Sequence, residues 1–300
     1  MLRRNVLIFH SGALGDFVLS WPLALALGRI YAQSRIIYVT ASQKGALAEK
    51  ALRLDSTDIE SGWHHLFAPA PNPPATVLKM LEGSHAIFSF VAAPDSIWAT
   101  NVKKIAPHAR LFLIDPTPPA GFAHHATQHL LAQLSTDPVV STAVSQMLKS
   151  LADRGLGTPR PSAGPIVIHP GAGAASKRWP RECFLSLAQK LHATGQKVNV
   201  VLGEVEREQW TGPEQDAFSD FAVVLRPSSL VELYTLLTQA SHFIGNDTGP
   251  THLAAITGIP TTAIFGPTDP GIWHPLGPKV QIIRGEPIEA ISVDQVIAKA

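Results

Sequence analysis

Three stretches of the chain place glycine, a small donor and a charged side chain within a few residues of an apolar run. Residues 245–254 read Gly-Asn-Asp-Thr-Gly-Pro-Thr-His-Leu-Ala and follow His242-Phe243-Ile244 directly. Residues 168–180 read Ile-His-Pro-Gly-Ala-Gly-Ala-Ala-Ser-Lys-Arg-Trp-Pro, and residues 9–16 read Phe-His-Ser-Gly-Ala-Leu-Gly-Asp. Such stretches suit anion binding, because the first amides of a helix have no intrahelical partner and carry the positive end of its dipole. At 245–254, Gly249 lets a phosphate approach the backbone, Pro250 suits a first helical position, Thr248 adds a hydroxyl donor and His252 lies one turn on. The plain structural alternative is a helix capped by Asp247 or Thr248 with a surface histidine.

At 168–180, Gly171 and Gly173 can expose backbone amides while Ser176 and Lys177 supply a donor and a full charge. The spacing is not that of a P-loop, because no Gly-Lys-Ser/Thr follows the glycines. Arg178 reads as a solvated neighbour and Trp179 as a packing residue. A fourth junction, Leu202-Gly203-Glu204, ends a β-branched run in a carboxylate that can accept from ribose hydroxyls. Glu206 and Glu208 read as solvated charges of a first helical turn. At residues 9–16, Gly12 and Gly15 are too loosely spaced for a dinucleotide fingerprint. Asp16 is either a first-turn helix charge or a general base within reach of a substrate hydroxyl.

The elements that would hold these junctions follow from periodicity. Short apolar runs at 4–10, 35–41, 85–91 and 110–115 alternate with helical patterns near 16–31, 43–54, 73–83, 95–106, 123–135 and 139–154, with Pro22 as an expected kink. The glycine- and proline-rich stretch 155–165 reads as an exposed connector. A second series follows, with strands at 166–170, 197–203, 221–226, 241–246, 261–265 and 279–284. Helices are expected at 180–193, 204–210, 229–240 and 249–257, and a short one from Ser292. Alternation of this kind gives parallel sheets covered on both faces, an α/β fold of two doubly wound halves facing an interdomain cleft.

Composition sets outer limits. The chain has 300 residues, 45% of them hydrophobic and 16% charged, with a formal net charge of +1. No global field draws it to nucleic acid, so an anionic ligand must be caught locally. The single cysteine, Cys183, excludes an internal disulfide. The apolar run after Arg3-Arg4 is too short for a signal-peptide core, and the stretch from Phe17 to Tyr31 falls short of a bilayer span. A cytoplasmic location is expected, with at most peripheral contact with the inner membrane. The histidine pairs His64-His65 and His124-His125 lack i,i+4 spacing, and no Asp-x-Asp pair is present, so no metal is expected.

The junctions together resemble the lipopolysaccharide heptosyltransferase family, glycosyltransferase family 9 of GT-B fold. The resemblance is carried by His169-Pro-Gly-Ala-Gly with Ser176-Lys177-Arg-Trp-Pro180, by Asn246-Asp-Thr-Gly-Pro-Thr-His-Leu-Ala-Ala255 with Phe265-Gly-Pro-Thr-Asp-Pro270, and by Gly12-Ala-Leu-Gly-Asp-Phe-Val-Leu-Ser-Trp-Pro22. It implies an inverting, metal-independent transfer of heptose from ADP-heptose to a sugar hydroxyl of the lipopolysaccharide inner core. Asp16 would be the base. Ser176, Lys177, Thr248, Gly249 and His252 would hold the donor diphosphate, and Glu204, with Gly171, Gly173 and Asp247, the nucleotide. Gly12 and Gly15 would shape the acceptor-side loop.

The implied domains are an acceptor-binding half at 1–158, a donor-binding half at 159–285 and a C-terminal helix at 286–300 packing back on the first half. The first half is compact for the family, and Phe9, His10 and Ser11 stand where a basic residue is often found. Transfer from a UDP- or GDP-sugar and noncatalytic nucleotide-sugar binding are the competing readings.

Overall fold

The computed structural model describes residues 4–158 and 163–300. Part of the expected connector, residues 159–162, lies outside them. The chain divides into two units, 1–148 and 149–300. The division thus comes before the glycine-proline stretch, inside the helix Pro138–Arg154. The reason lies just beyond that helix, where the Leu156 amide donates to the Ile256 carbonyl at 2.8 Å and Gly155 lies against Gly258.

In the first unit, β1 (Asn5–Phe9), β2 (Arg35–Thr40), β3 (Asp55–Asp58), β4 (Ser84–Ser89) and β5 (Arg110–Leu113) form a five-stranded sheet in the order β3-β2-β1-β4-β5. Every pairing is parallel. β1 is buried along its whole length, as expected of a central parallel strand with helices on both faces. β3 was not legible: Asp-Ser-Thr-Asp carries no apolar signal and becomes an edge strand through its register with β2, Ile37 opposite Asp55.

The expected kink at Pro22 is instead a break at Ser20 between helices Leu14–Leu19 and Trp21–Ile30. The Ser20 hydroxyl donates to the Phe17 carbonyl at 2.7 Å and shares a 2.8 Å bond with the Tyr38 hydroxyl. Pro22 then falls in the first turn of the second helix, where its missing amide hydrogen leaves no bond unmade.

The second unit holds a six-stranded sheet of β6 (Ile166–His169), β7 (Val198–Val201), β8 (Val223–Leu225), β9 (His242–Asn246), β10 (Thr261–Phe265) and β11 (Val280–Arg284). Its order is β11-β10-β9-β6-β7-β8, again all parallel. The direction of winding reverses between β6 and β9, which pair from Ile166 opposite His242 to His169 opposite Gly245. In the first unit it reverses between β1 and β4. Ligands of doubly wound sheets lie outside the carboxyl ends of the strands at this reversal. In the second unit those ends open into 170–177 and 247–249, the two strongest motifs.

The C-terminal segment 286–300 belongs to the second unit. Ile288, Ile291 and Val296 are buried in the second unit's core with Phe184, Leu187 and Trp179. Lys190 pairs with Asp294 at 2.6 Å, and the Trp179 indole donates to the Ile291 carbonyl at 2.8 Å. Among the described residues, no helix is long and apolar enough to cross a membrane.

Candidate active site

The second unit builds its site around Asn246, the last residue of β9. Its amide oxygen accepts from the Trp179 backbone at 3.0 Å, and its amide nitrogen donates to the Pro170 carbonyl at 2.8 Å. Its own carbonyl accepts from the Thr251 hydroxyl. One buried side chain therefore ties the glycine loop after β6, the lysine-bearing turn and the following helix into a single corner. Sequence reasoning passed over it in favour of its charged neighbour.

At this corner the two distant motifs meet. Lys177 Nζ lies 2.8 Å from Asp247 Oδ2, and His252 Nε2 lies 3.8 Å from Asp247 Oδ1. Asp247 is only 6% exposed. Burial pushes its carboxyl pKa up, but the contacts with His252 and Lys177 outweigh that and leave it below the usual carboxylate range. The carboxylate expected beside the nucleotide thus stands between the lysine and the histidine of the diphosphate set. Thr248 caps helix Gly249–Thr257, receiving the Thr251 and His252 amides on its carbonyl at 3.0 and 3.2 Å. The Thr248 side chain makes no capping hydrogen bond to this helix end.

His274 joins the group from beyond β10. Burial, and next the charge of His252, hold its pKa below the ordinary value. It was not read from sequence, since a lone histidine before proline carries no spacing signal. Ser176 is exposed in the short turn Ala175–Lys177.

The glycine loop is less uniform than its sequence. A β-carbon on Gly171 would lie 2.1 Å from Glu206 Oε1, whereas one on Gly173 would meet nothing within 4 Å. Only the first glycine is demanded by close approach. Glu206, read as a solvated charge, is 2% exposed and accepts the Gly203 amide at 2.8 Å. Its Oε2 lies 4.0 Å from His169 Nε2. Burial keeps the His169 pKa below its ordinary value against the opposing pull of Glu206.

Glu204, the expected ribose partner, is exposed at the start of helix Glu204–Gln209. Arg178 is also not a solvated neighbour. Its guanidinium donates to the Ala172 carbonyl at 2.7 Å, the Gly173 carbonyl at 3.4 Å and Gln209 Oε1 at 2.6 Å, pinning the loop from outside.

In the first unit, the loop 10–13 leaves β1 and enters helix Leu14–Leu19, whose first turn carries Gly15 and Asp16. His10 is 1% exposed, and its pKa falls to about 3, chiefly through burial and then through the charge of Lys44. A β-carbon on Gly12 would lie 3.0 Å from His10 Cε1 and 3.3 Å from Asp16 Oδ2. Lys44, from helix Ser42–Leu52, donates to the Gly12 carbonyl at 2.6 Å and the Ser11 carbonyl at 3.3 Å. Among the described residues, no group of three or more histidine, cysteine or acidic side chains is placed to hold a metal ion.

The sequence model for glycosyltransferase family 9 (heptosyltransferase) matches residues 103–296. Lipopolysaccharide heptosyltransferase 1 of Pseudomonas aeruginosa is 30% identical over 164 residues, covering 53% of this chain and 44% of that protein, so the match spans less than half of its length. Among solved structures, E. coli heptosyltransferase WaaC with ADP superposes with a TM-score of 0.70 at 17% identity, covering 98% of each chain. The iron-containing dodecameric glycosyltransferase TibC of enterotoxigenic E. coli gives 0.55 at 16%, covering 99% of this chain and 75% of that one. The fold of two Rossmann-like parallel-sheet domains is the GT-B fold shared with such structures.

Proposed function

We propose that this chain, which belongs to glycosyltransferase family 9 (heptosyltransferase), is an inverting transferase that moves heptose from ADP-heptose to a sugar hydroxyl of the lipopolysaccharide inner core. The observation that carries the reading is the corner of the second unit, where Lys177, Asp247 and His252 converge beside the N-terminal end of helix Gly249–Thr257. A donor diphosphate is doubly anionic, and its leaving-group charge grows in the transition state. Fixed amides and a lysine oriented beforehand stabilise that growing charge without reorganising.

In this reading the acceptor hydroxyl gives its proton to Asp16 as its oxygen bonds to the anomeric carbon. The bond from that carbon to the diphosphate oxygen breaks, and the electron pair leaves with ADP. The positive charge at the leaving group comes from Lys177 and backbone amides, so the reaction proceeds without a metal and transfer survives EDTA. The relatives' names support heptose and the lipopolysaccharide acceptor. A cytoplasmic protein with at most peripheral contact at the inner membrane fits that substrate pair.

The test combines calorimetry and turnover. ADP and ADP-heptose should bind, and UDP and GDP should bind more weakly. Lys177→Ala should weaken ADP binding by at least tenfold, the loss of about one charge-assisted contact. Asp16→Asn should lower transfer by about a thousandfold or more while ADP affinity stays within twofold. A preference for UDP or GDP would replace the donor assignment, and native turnover in Asp16→Asn would remove the base.

A further inference from the structure

The first unit contains a cation that the functional reading does not use. Lys44 stands on the helix after β2, at the carboxyl end of the sheet, and is half-buried. Its ammonium has three hydrogens. It donates to the Gly12 carbonyl at 2.6 Å and the Ser11 carbonyl at 3.3 Å, and Nζ lies over the Phe17 ring, 6.0 Å from its centroid. Two acceptors thus already occupy the group, which leaves little of it for a ligand.

Those acceptors belong to the loop that leads into Asp16. The spacing is tight: a β-carbon at Gly12 would touch both the His10 ring and the Asp16 carboxylate. The turn that Lys44 holds therefore lies directly beside the carboxylate.

We propose that Lys44 is a positioning residue for Asp16: its ammonium fixes the Ser11–Gly12 turn that leads into the helix bearing the carboxylate, and it places a countercharge near that carboxylate. The inference rests on the reading of Asp16 as the base. The electrostatic half of the proposal has support from the lysine itself. Burial lowers the Lys44 pKa, and the charge of Asp16 opposes that fall, so the two groups lie within effective range of each other.

Lys44, from the helix after β2, and His10, from the end of β1, are titratable groups that interact with Asp16. His10 contacts the Asp16 backbone, and burial followed by the Lys44 charge keeps it neutral down to about pH 3. Of these two groups, Lys44 is then the cation at neutral pH. Its position lies outside every motif, because the lysine reaches the loop from the neighbouring strand's connection and not along the chain.

The experiment is a carbon-13 carboxyl titration of the full-length protein, with the Asp16 resonance identified by its loss in Asp16→Asn. In Lys44→Met the Asp16 midpoint should rise by about one pH unit, the shift that loss of a nearby opposite charge produces. In Lys44→Arg it should return to the native value. The acid limb of the kcat profile should move up in step, with kcat reduced and the KM for the donor little changed. Should Lys44→Met fold poorly by thermal melting, Lys44→Gln serves for the same measurement.

An Asp16 midpoint unmoved in both neutral variants would overturn the proposal, as would an arginine variant behaving like methionine. The titration does not depend on turnover. A catalytically active Asp16→Asn would therefore remove the base reading and leave the lysine's effect on the carboxylate measurable.

Discussion

The two glycine loops begin alike. β1 ends in Phe9 and runs on as His10-Ser11-Gly12-Ala13, while β6 ends in His169 and runs on as Pro170-Gly171-Ala172. Both histidines are buried, both have pKa values depressed by burial, and both leave Nδ1 without a partner among the described groups. Each loop has two carbonyls pinned by one cation, Ser11 and Gly12 by Lys44 and Ala172 and Gly173 by Arg178.

They differ in what lies beneath the glycine. Under Gly171 is the buried Glu206 carboxylate, tied to the Gly203 amide, and under Gly12 are a neutral imidazole and the half-exposed Asp16. One loop rests on a buried acid that serves structure. The other presents its acid.

The largest expected break in this comparison is Gly171→Ala. The new methyl would require the Glu206 carboxylate to move. That tip is flexible in principle, but here it is buried and hydrogen-bonded, so displacement breaks the Gly203 bond and strands a buried charge. A loss of about 2–3 kcal/mol in urea denaturation is expected, with ADP binding impaired. Gly12→Ala meets contacts of 3.0 and 3.3 Å, which a few tenths of an ångström relieve, and should cost about 1 kcal/mol or less. Gly173→Ala should stay within about 0.5 kcal/mol. Equal losses at Gly171 and Gly173 would contradict the buried acid as the cause.

The second effect is pH dependence. The His10 pKa falls from 6.5 to about 3 in the folded chain, so between these values the unfolded state binds the extra proton. Stability is then full above about pH 6.5 and declines as pH falls toward 3. From pH 7 to pH 5 the decline attributable to His10 is about 2 kcal/mol. The His242 pKa is likewise lowered, to about 4, by burial, and contributes with the same sign. Urea midpoints at pH 7 and pH 5 should therefore be closer together in His10→Gln than in the native chain. An unchanged difference would place His10 in contact with water.

What could be read from the sequence follows the same division. Strands β1, β2, β4, β6, β9 and β10 announce themselves as apolar runs, and the loops as glycine beside a donor, because both signals lie within one short window. β3 could not be read, since its pairing is dictated by β2 and not by its own Asp-Ser-Thr-Asp. Asn246, Lys44 and Arg178 act on backbone carbonyls, and the identity of a carbonyl's partner leaves no mark on residue type. Glu206 was misplaced because Glu-x-Glu at a helix start is ordinarily solvated. Its burial follows from Gly171, 35 positions earlier, having no side chain.

The smallest expected effect concerns the second cation. Arg178→Met keeps much of the aliphatic stem and removes the three donated bonds to Ala172, Gly173 and Gln209. The site is partly exposed, so water replaces those donors, and stability should fall by only about 1 kcal/mol. The loop's amides should then sample more directions, and ADP affinity measured by calorimetry should drop about threefold to tenfold, against the larger loss in Lys177→Ala. Arg178→Lys should recover little of it, because one ammonium cannot span three acceptors set out for a planar fork. If Arg178→Met binds ADP as tightly as the native chain while Lys177→Ala does not, the second loop owes its order to Asn246 and Glu206 alone, and the likeness between the two cations ends at geometry.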